Sequence, residues 1–206
     1  MVCRIGILVS GRGSNMLSII RAVERGYIEG ARVGVVISDN REARALATAR
    51  RHGVDAVFVD PTGQRREEYD RVLLGELRDR GVTPDGGLVV LAGFMRILSP
   101  YFVNAFRNRI MNIHPALLPS FPGLRAQEQA LEHGVKVSGC TVHLVVPDVD
   151  SGPIIAQRAV KVEEGDTAET LAARILKQEH AVYPLAIKLF VEGKLTIAGR
   201  KVKVSG

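Results

Sequence analysis

The stretch Cys3-Arg4-Ile5-Gly6-Ile7-Leu8-Val9-Ser10-Gly11-Arg12-Gly13-Ser14-Asn15-Met16-Leu17 decides the fold. Cys3 to Val9 reads as an apolar strand, and Met16, Leu17, Ile19, Ile20 and Val23 then recur on one side of a helix. Between them lies a turn rich in glycine, and Gly26 supplies the helix stop. Strand, glycine turn and helix in this order form the first half of a βαβ unit.

Working outward, the alternation repeats. Val33 to Ile37 predicts a strand that leads to a helix capped near Asn40 and ending at Gly53. Ala56 to Val59 leads to a helix over Arg66 to Arg80, with Tyr69, Val72, Leu73 and Leu77 at helical spacing. Leu88 to Leu91 is a continuous apolar run, as a strand buried on both faces requires. The expected fold class is α/β, a doubly wound, mostly parallel, Rossmann-like sheet with right-handed crossovers.

Further on, Val135 to Val146 and Ile154 to Val162 are joined by the turn Pro147 to Pro153, which predicts a C-terminal antiparallel hairpin. Asp166 with Glu169 predicts a capping box that opens a long final helix, kinked or interrupted at Pro184. With no repeat, low-complexity tract or linker, residues 1–206 are expected to form a single domain.

Composition narrows the function classes. The net charge is +6, but the 28 basic residues are dispersed, so no nucleic-acid partner is expected; anionic small substrates or a generally basic surface account for the excess. Met1 is followed by no basic leader or cleavage site, and no uncharged apolar run approaches the ~18 residues that span a bilayer. A cytoplasmic protein without membrane attachment is the expectation. Cys3 and Cys140 read as buried free thiols, and no metal site is expected.

Four segments carry chemistry, and each has a plain structural reading beside the functional one. Gly11 to Asn15 aims backbone N–H groups at one point and suits a monophosphate, yet it also reads as a tight turn with Ser14 as cap. Phe94, Met95, Ile97 and Leu98 follow the buried strand at the edge where open sheets bind ligands; they line a slot for a flat heterocycle or they are core. Asn112 and His114 alternate at a strand end and share a side, which supplies an oxyanion donor and a proton handler, or else a turn asparagine and a structural histidine. Asp150 lies in the hairpin turn, where aspartate is common for backbone reasons and where it also serves to orient a histidine.

In combination these residues are recognisable. Ser10-Gly11-x-Gly13-Ser14-Asn15, Leu91-Ala92-Gly93-Phe94-Met95-Arg96-Ile97-Leu98-Ser99-Pro100, Asn112-Ile113-His114-Pro115-x-Leu117-Leu118-Pro119 and Asp150-x-Gly152-Pro153 occur in order over nearly the whole chain, with Gln178-Glu179-His180 and Tyr183-Pro184 beyond them. The pattern resembles the folate-dependent glycinamide ribonucleotide formyltransferases of purine synthesis. That resemblance implies a catalytic group of Asn112, His114 and Asp150; ribonucleotide contacts from Gly13, Ser14, Asn15 and Glu179; and a folate site of Arg66, Phe94, Met95, Arg96, Ile97, Leu98 and Asn112. It implies 10-formyltetrahydrofolate as co-substrate, no metal, glycinamide ribonucleotide as acceptor, and a cis peptide before Pro119.

It further suggests a nucleotide-binding half over 1–100 and a folate-binding, catalytic half over 101–206, and it leaves open whether the chain forms a homodimer. The sequence departs from the family pattern at Arg125 and Gln127, after the Pro122-Gly123 pair, and at Leu176. Formyltetrahydrofolate deformylase and methionyl-tRNA formyltransferase share the Asn, His and Asp group. Their extra domains are not expected within 206 residues.

Overall fold

The computed structural model describes residues 2–205 and divides into two compact units, one through Asn112 and one from Ile113 onward. In the first unit the strands are β1 (Cys3–Val9), β2 (Ala31–Ser38), β3 (Ala56–Phe58), β4 (Gly87–Leu91) and β5 (Ile110–His114), whose last residues begin the second unit. They lie in the order β3-β2-β1-β4-β5, all parallel. Helices α1 (Ser14–Glu24), α2 (Arg44–Arg51), α3 (Arg66–Asp79) and α4 (Pro100–Ala105) connect them. Ile5, Ile7, Leu8 and Val9 of β1 and Leu88, Val89 and Val90 of β4 are buried at the sheet centre, which explains their unbroken apolar runs.

This order reverses direction between β1 and β4. From β1 the chain winds outward through β2 and β3, then crosses back to β4 on the other side. The crevice beyond the carboxyl ends of β1 and β4 is therefore the switch point at which open α/β sheets bind ligands. The glycine turn and the loop after β4 both begin there.

In the second unit β6 (Val137–Leu144) pairs antiparallel with β7 (Ile154–Lys161), as the hairpin expectation held. Helix α5 (Ala126–Glu132) precedes β6, and the long α6 (Ala168–Val191) follows β7 and packs on both β6 and β7. A closing antiparallel pair, β8 (Leu195–Ala198) and β9 (Lys201–Val204), joins the sheet through β9 beside β7.

The structure corrects several local expectations. The second helix starts at Arg44, because Asn40 closes a turn of its own: its Oδ1 accepts from the Glu42 N–H at 3.0 Å and its carbonyl from the Ala43 N–H at 3.1 Å. The capping box of α6 is built by Thr167 and Thr170, whose hydroxyls accept from each other's backbone N–H. Asp166 is instead held by both terminal nitrogens of Arg174 at 2.8 Å. Pro184 does not interrupt α6. Its ring removes one intrahelical bond, but Val182, Tyr183, Ala186 and Ile187 around it are buried, and this packing carries the helix through. Cys140 is a buried free thiol as expected, whereas Cys3 is only half-buried.

Candidate active site

The glycine turn is shaped by two requirements. Gly13 caps α1 with φ 75°, in the left-handed region, and a Cβ placed there would lie 2.6 Å from the Ala45 Cβ of α2. Glycine is thus needed both for conformation and for close helix packing. Gly11, by contrast, faces open space. Ser14 and Asn15 form the first turn of α1, where backbone N–H groups and the helix dipole favour an anion.

The loop after β4 divides its side chains. Phe94 and Leu98 are buried, while Met95 is 65% and Ile97 52% exposed. Half of the apolar segment is therefore core and half is presented outward. Ser10 ties this loop to the glycine turn: its N–H donates to the Gly93 carbonyl at 3.0 Å, and its Oγ accepts from the Met95 N–H at 2.9 Å. The half-buried Arg96 stacks its guanidinium 4.7 Å from the centroid of Tyr69, and Arg66 is exposed at the first position of α3. The structure thus brings the glycine turn and the loop after β4 together within the first unit.

Asn112 and His114 sit two residues apart on β5, on one side of the strand. Asn112 is half-buried and His114 is buried. The imidazole is bracketed within the second unit: Nε2 lies 2.7 Å from the Phe121 carbonyl and Nδ1 lies 3.3 Å from Asp150 Oδ2. A carbonyl only accepts, so Nε2 carries hydrogen, and the proton that makes the ring cationic adds at Nδ1, facing Asp150. Burial holds the His114 pKa below its ordinary value; the Asp150 charge and the Phe121 bond oppose that, and His143 adds to it.

His143 is the residue that sequence reasoning missed. It is buried on β6, its Nδ1 donates to the Leu144 carbonyl at 3.0 Å, and its Nε2 lies 3.5 Å from Asp150 Oδ1. Asp150 is therefore flanked by an imidazole at each oxygen, and its Oδ2 also accepts from the Gly123 N–H at 2.8 Å. Burial alone would raise this carboxyl, but His143, the Gly123 N–H and His114 together hold it below the ordinary carboxylate range. A histidine in a strand of small and apolar residues, two residues after Thr141, was the available signal.

Backbone strain gathers at the same place. Phe121, Arg125 and Asp150 all adopt left-handed φ, at 54°, 56° and 49°, each without being glycine. The loop that contains Phe121 is anchored by Thr141, which is fully buried: its Oγ1 accepts from the Leu118 N–H at 3.0 Å and donates to the Ala116 carbonyl at 2.7 Å. Gln157 adds a bond to the Leu118 carbonyl at 2.9 Å. The Leu118–Pro119 peptide is cis, as the resemblance implies.

Glu179 is buried on α6, and the Cys140 thiol is pushed up to about 12 by burial first and by the charge of this carboxylate second. Of the three departures from the family pattern, Arg125 caps α5, Gln127 lies half-buried on α5, and Leu176 lies half-buried on α6. Among the described residues, no group of three or more His, Cys, Asp and Glu could hold a metal ion, and no helix is long and apolar enough to cross a membrane.

Comparison with known proteins identifies the family of the chain. The profile of the formyl transferase family matches residues 3–187. Phosphoribosylglycinamide formyltransferase of Escherichia coli strain K12 is 44% identical over 92% of this chain and 87% of its own length. The human trifunctional purine biosynthetic protein adenosine-3 is 41% identical over 94% of this chain, which corresponds to 19% of that larger protein. The crystal structure of glycinamide ribonucleotide transformylase 1 from Symbiobacterium toebii superposes with a TM-score of 0.95 at 53% identity, over all of this chain and 95% of that one. With its fold and its sequence both in agreement with these relatives, the chain belongs to the phosphoribosylglycinamide formyltransferase family of formyl transferases.

Proposed function

We propose that the protein transfers the formyl group of 10-formyltetrahydrofolate to the amine of glycinamide ribonucleotide, a step of purine synthesis. The observation that carries this reading is the bracketed His114, with Asp150 at Nδ1, placed two residues after Asn112. Formyl transfer to an amine builds positive charge on nitrogen and negative charge on the formyl oxygen. Both need an answering group.

In this mechanism the neutral amine attacks the formyl carbon and forms a tetrahedral centre. Asn112 donates from its side-chain amide to the oxyanion, and His114 joins it in cationic form, favoured by Asp150. Both imidazole nitrogens are already engaged, so His114 reaches the oxyanion by exchanging the Phe121 carbonyl at Nε2 for it. Collapse breaks the bond to N10 of the folate, the amine loses one proton, and N10 gains one directly or through water. The products are tetrahydrofolate and the formylated ribonucleotide.

The glycine turn supports the acceptor: Gly13, Ser14 and Asn15 would hold the ribonucleotide phosphate, and Glu179 would contact its ribose. Arg66, Phe94, Met95, Arg96, Ile97, Leu98 and Asn112 would border the folate, with the exposed Met95 and Ile97 in direct contact and the buried Phe94 and Leu98 supporting them. The chemistry requires no metal and no nucleic acid. It suits a cytoplasmic enzyme, and a homodimer is compatible with it.

The identity of the acceptor is tested by carbon-13 NMR with a formyl-labelled donor. The label should appear as a formamide on glycinamide ribonucleotide. Its appearance as free formate would make the chain a deformylase.

A further inference from the structure

The loop from Ala92 to Ser99 is fastened at three points, all within the first unit. Ser10 holds its start through the Gly93 carbonyl and the Met95 N–H, at 3.0 and 2.9 Å. The Tyr69 ring holds its middle beneath Arg96. Asp70 holds its end, where Oδ2 accepts from the Ser99 N–H at 2.6 Å, while Ser99 Oγ caps α4 by accepting from the Phe102 N–H at 3.3 Å. Two of these fastenings come from consecutive residues of α3.

Asp70 is the unusual member. It is 1% exposed, and burial pushes its carboxyl above the ordinary range, against the bonds from Ser99 and the charges of Arg66 and Arg96. A carboxylate is a costly group to place under a surface loop merely to close a turn. What the loop does with that anchorage is equally unusual, since it turns Met95 and Ile97 outward while sinking Phe94 and Leu98. Large apolar side chains held out in water between two buried ones form a surface prepared for a flat apolar ligand.

We propose that Asp70 is a positioning residue for folate binding: through Ser99, and with its neighbour Tyr69 acting on Arg96, it sets the shape in which Met95, Arg96 and Ile97 meet the donor. This rests on the formyl-transfer reading. Asp70 touches no substrate itself. Its effect falls on the donor side of the reaction, because Asp70 fastens the end of the loop at Ser99, whereas the glycine turn meets only the start of the loop, through Ser10.

The test compares wild type with Asp70→Asn, Asp70→Ala and Ser99→Ala. Calorimetric titration with 10-formylfolate, steady-state kinetics for both substrates, and hydrogen exchange of the ligand-free protein are measured on each. Expected is at least a tenfold loss of 10-formylfolate affinity in Asp70→Ala, and a smaller loss in Asp70→Asn, which keeps an acceptor. The folate KM should rise in parallel, with the glycinamide ribonucleotide KM changed less than twofold. Exchange should quicken at Met95 to Ser99 while α3 stays protected. Folate affinity within twofold of wild type in folded Asp70 variants would overturn the proposal, as would equal weakening of both substrates. If Asp70→Ala does not fold, Asp70→Asn decides the matter by the same criteria, and Ser99→Ala, which keeps the backbone N–H that Asp70 accepts and removes only the α4 cap, separates the cap from the anchor. A wild-type chain that binds no 10-formylfolate overturns the functional reading and this proposal with it, an outcome distinct from wild-type binding that the variants retain.

Discussion

Asp150 Oδ2 stands 3.3 Å from His114 Nδ1, on the side of the ring opposite the Phe121 carbonyl. This relationship gives the imidazole a fixed hydrogen at one nitrogen and a charge-stabilised place for a second proton at the other. The ring can therefore stay neutral in its buried pocket and become cationic when an oxyanion forms. Asp150→Asn should lower kcat by about 10²–10⁴-fold while changing either KM by only a few-fold. Steady-state kinetics on the purified variant checks this, and a loss confined to KM would remove Asp150 from the chemistry.

His143 should matter through the same carboxylate. His143→Phe removes the partner of Oδ1 and keeps a ring in the β6 position, so Asp150 loses its largest counterweight to burial. The carboxyl should then titrate higher, and the acid limb of the rate profile should move to higher pH. A profile superimposable on wild type would show that His143 is merely core.

Acid should erode stability in two stages, and the signs follow from the directions of the shifts. His114 and His180 both have folded-state values below the ordinary 6.5, chiefly because of burial, so the unfolded chain binds more protons as pH falls past 6.5 and stability declines toward the folded-state values. Asp150 is shifted below the ordinary 3.8, so its contribution is present above that pH and is lost as pH falls through its folded-state value. Urea unfolding between pH 8 and pH 3 measures both stages. His114→Gln should flatten the upper one.

Substitution in the glycine turn should separate structure from binding. Gly13→Ala meets both a left-handed backbone and the Ala45 side chain, and should destabilise the fold by about 1–3 kcal/mol. Gly11→Ala meets open space and should leave unfolding unchanged while raising the glycinamide ribonucleotide KM, as a Cβ beside a bound phosphate would. Denaturation and kinetics on the same pair distinguish the two effects.

Thr141→Val removes a hydroxyl of nearly equal volume and leaves the Leu118 N–H and the Ala116 carbonyl without their partner. A loss of about 1–3 kcal/mol is expected. Because the loop that follows bears Phe121 and its bond to His114, kcat should fall as well; unchanged stability in the variant would refute the anchoring role.

Much of this was legible in the sequence because the signals were periodic and local. Unbroken apolar runs at Ile5 to Val9 and Leu88 to Leu91 marked the central strands, and the glycine turn after the first of them marked the passage from strand to helix; the switch point between β1 and β4 needed the observed strand order. Asn112 and His114, two apart on a strand, and Asp150, in a turn, each also had a plain structural reading, and it was the resemblance of the combined motifs that implied a catalytic group. What escaped depends on neighbours distant in the chain. His143 gains its meaning only from Asp150, and Asp70 only from Ser99, twenty-nine residues away. The start of α6 was misread because Thr167, an equally good cap, stands beside Asp166, and only the Arg174 pairing draws Asp166 aside. Pro184 does not interrupt α6 because packing on both sides of a proline can outweigh its missing hydrogen bond.

The most direct test of the account is release of tetrahydrofolate from 10-formyltetrahydrofolate, followed with glycinamide ribonucleotide, with initiator methionyl-tRNA and with water alone. The account predicts turnover only with glycinamide ribonucleotide, and its loss in His114→Ala. Equal turnover with water alone, or turnover that survives His114→Ala undiminished, would contradict it.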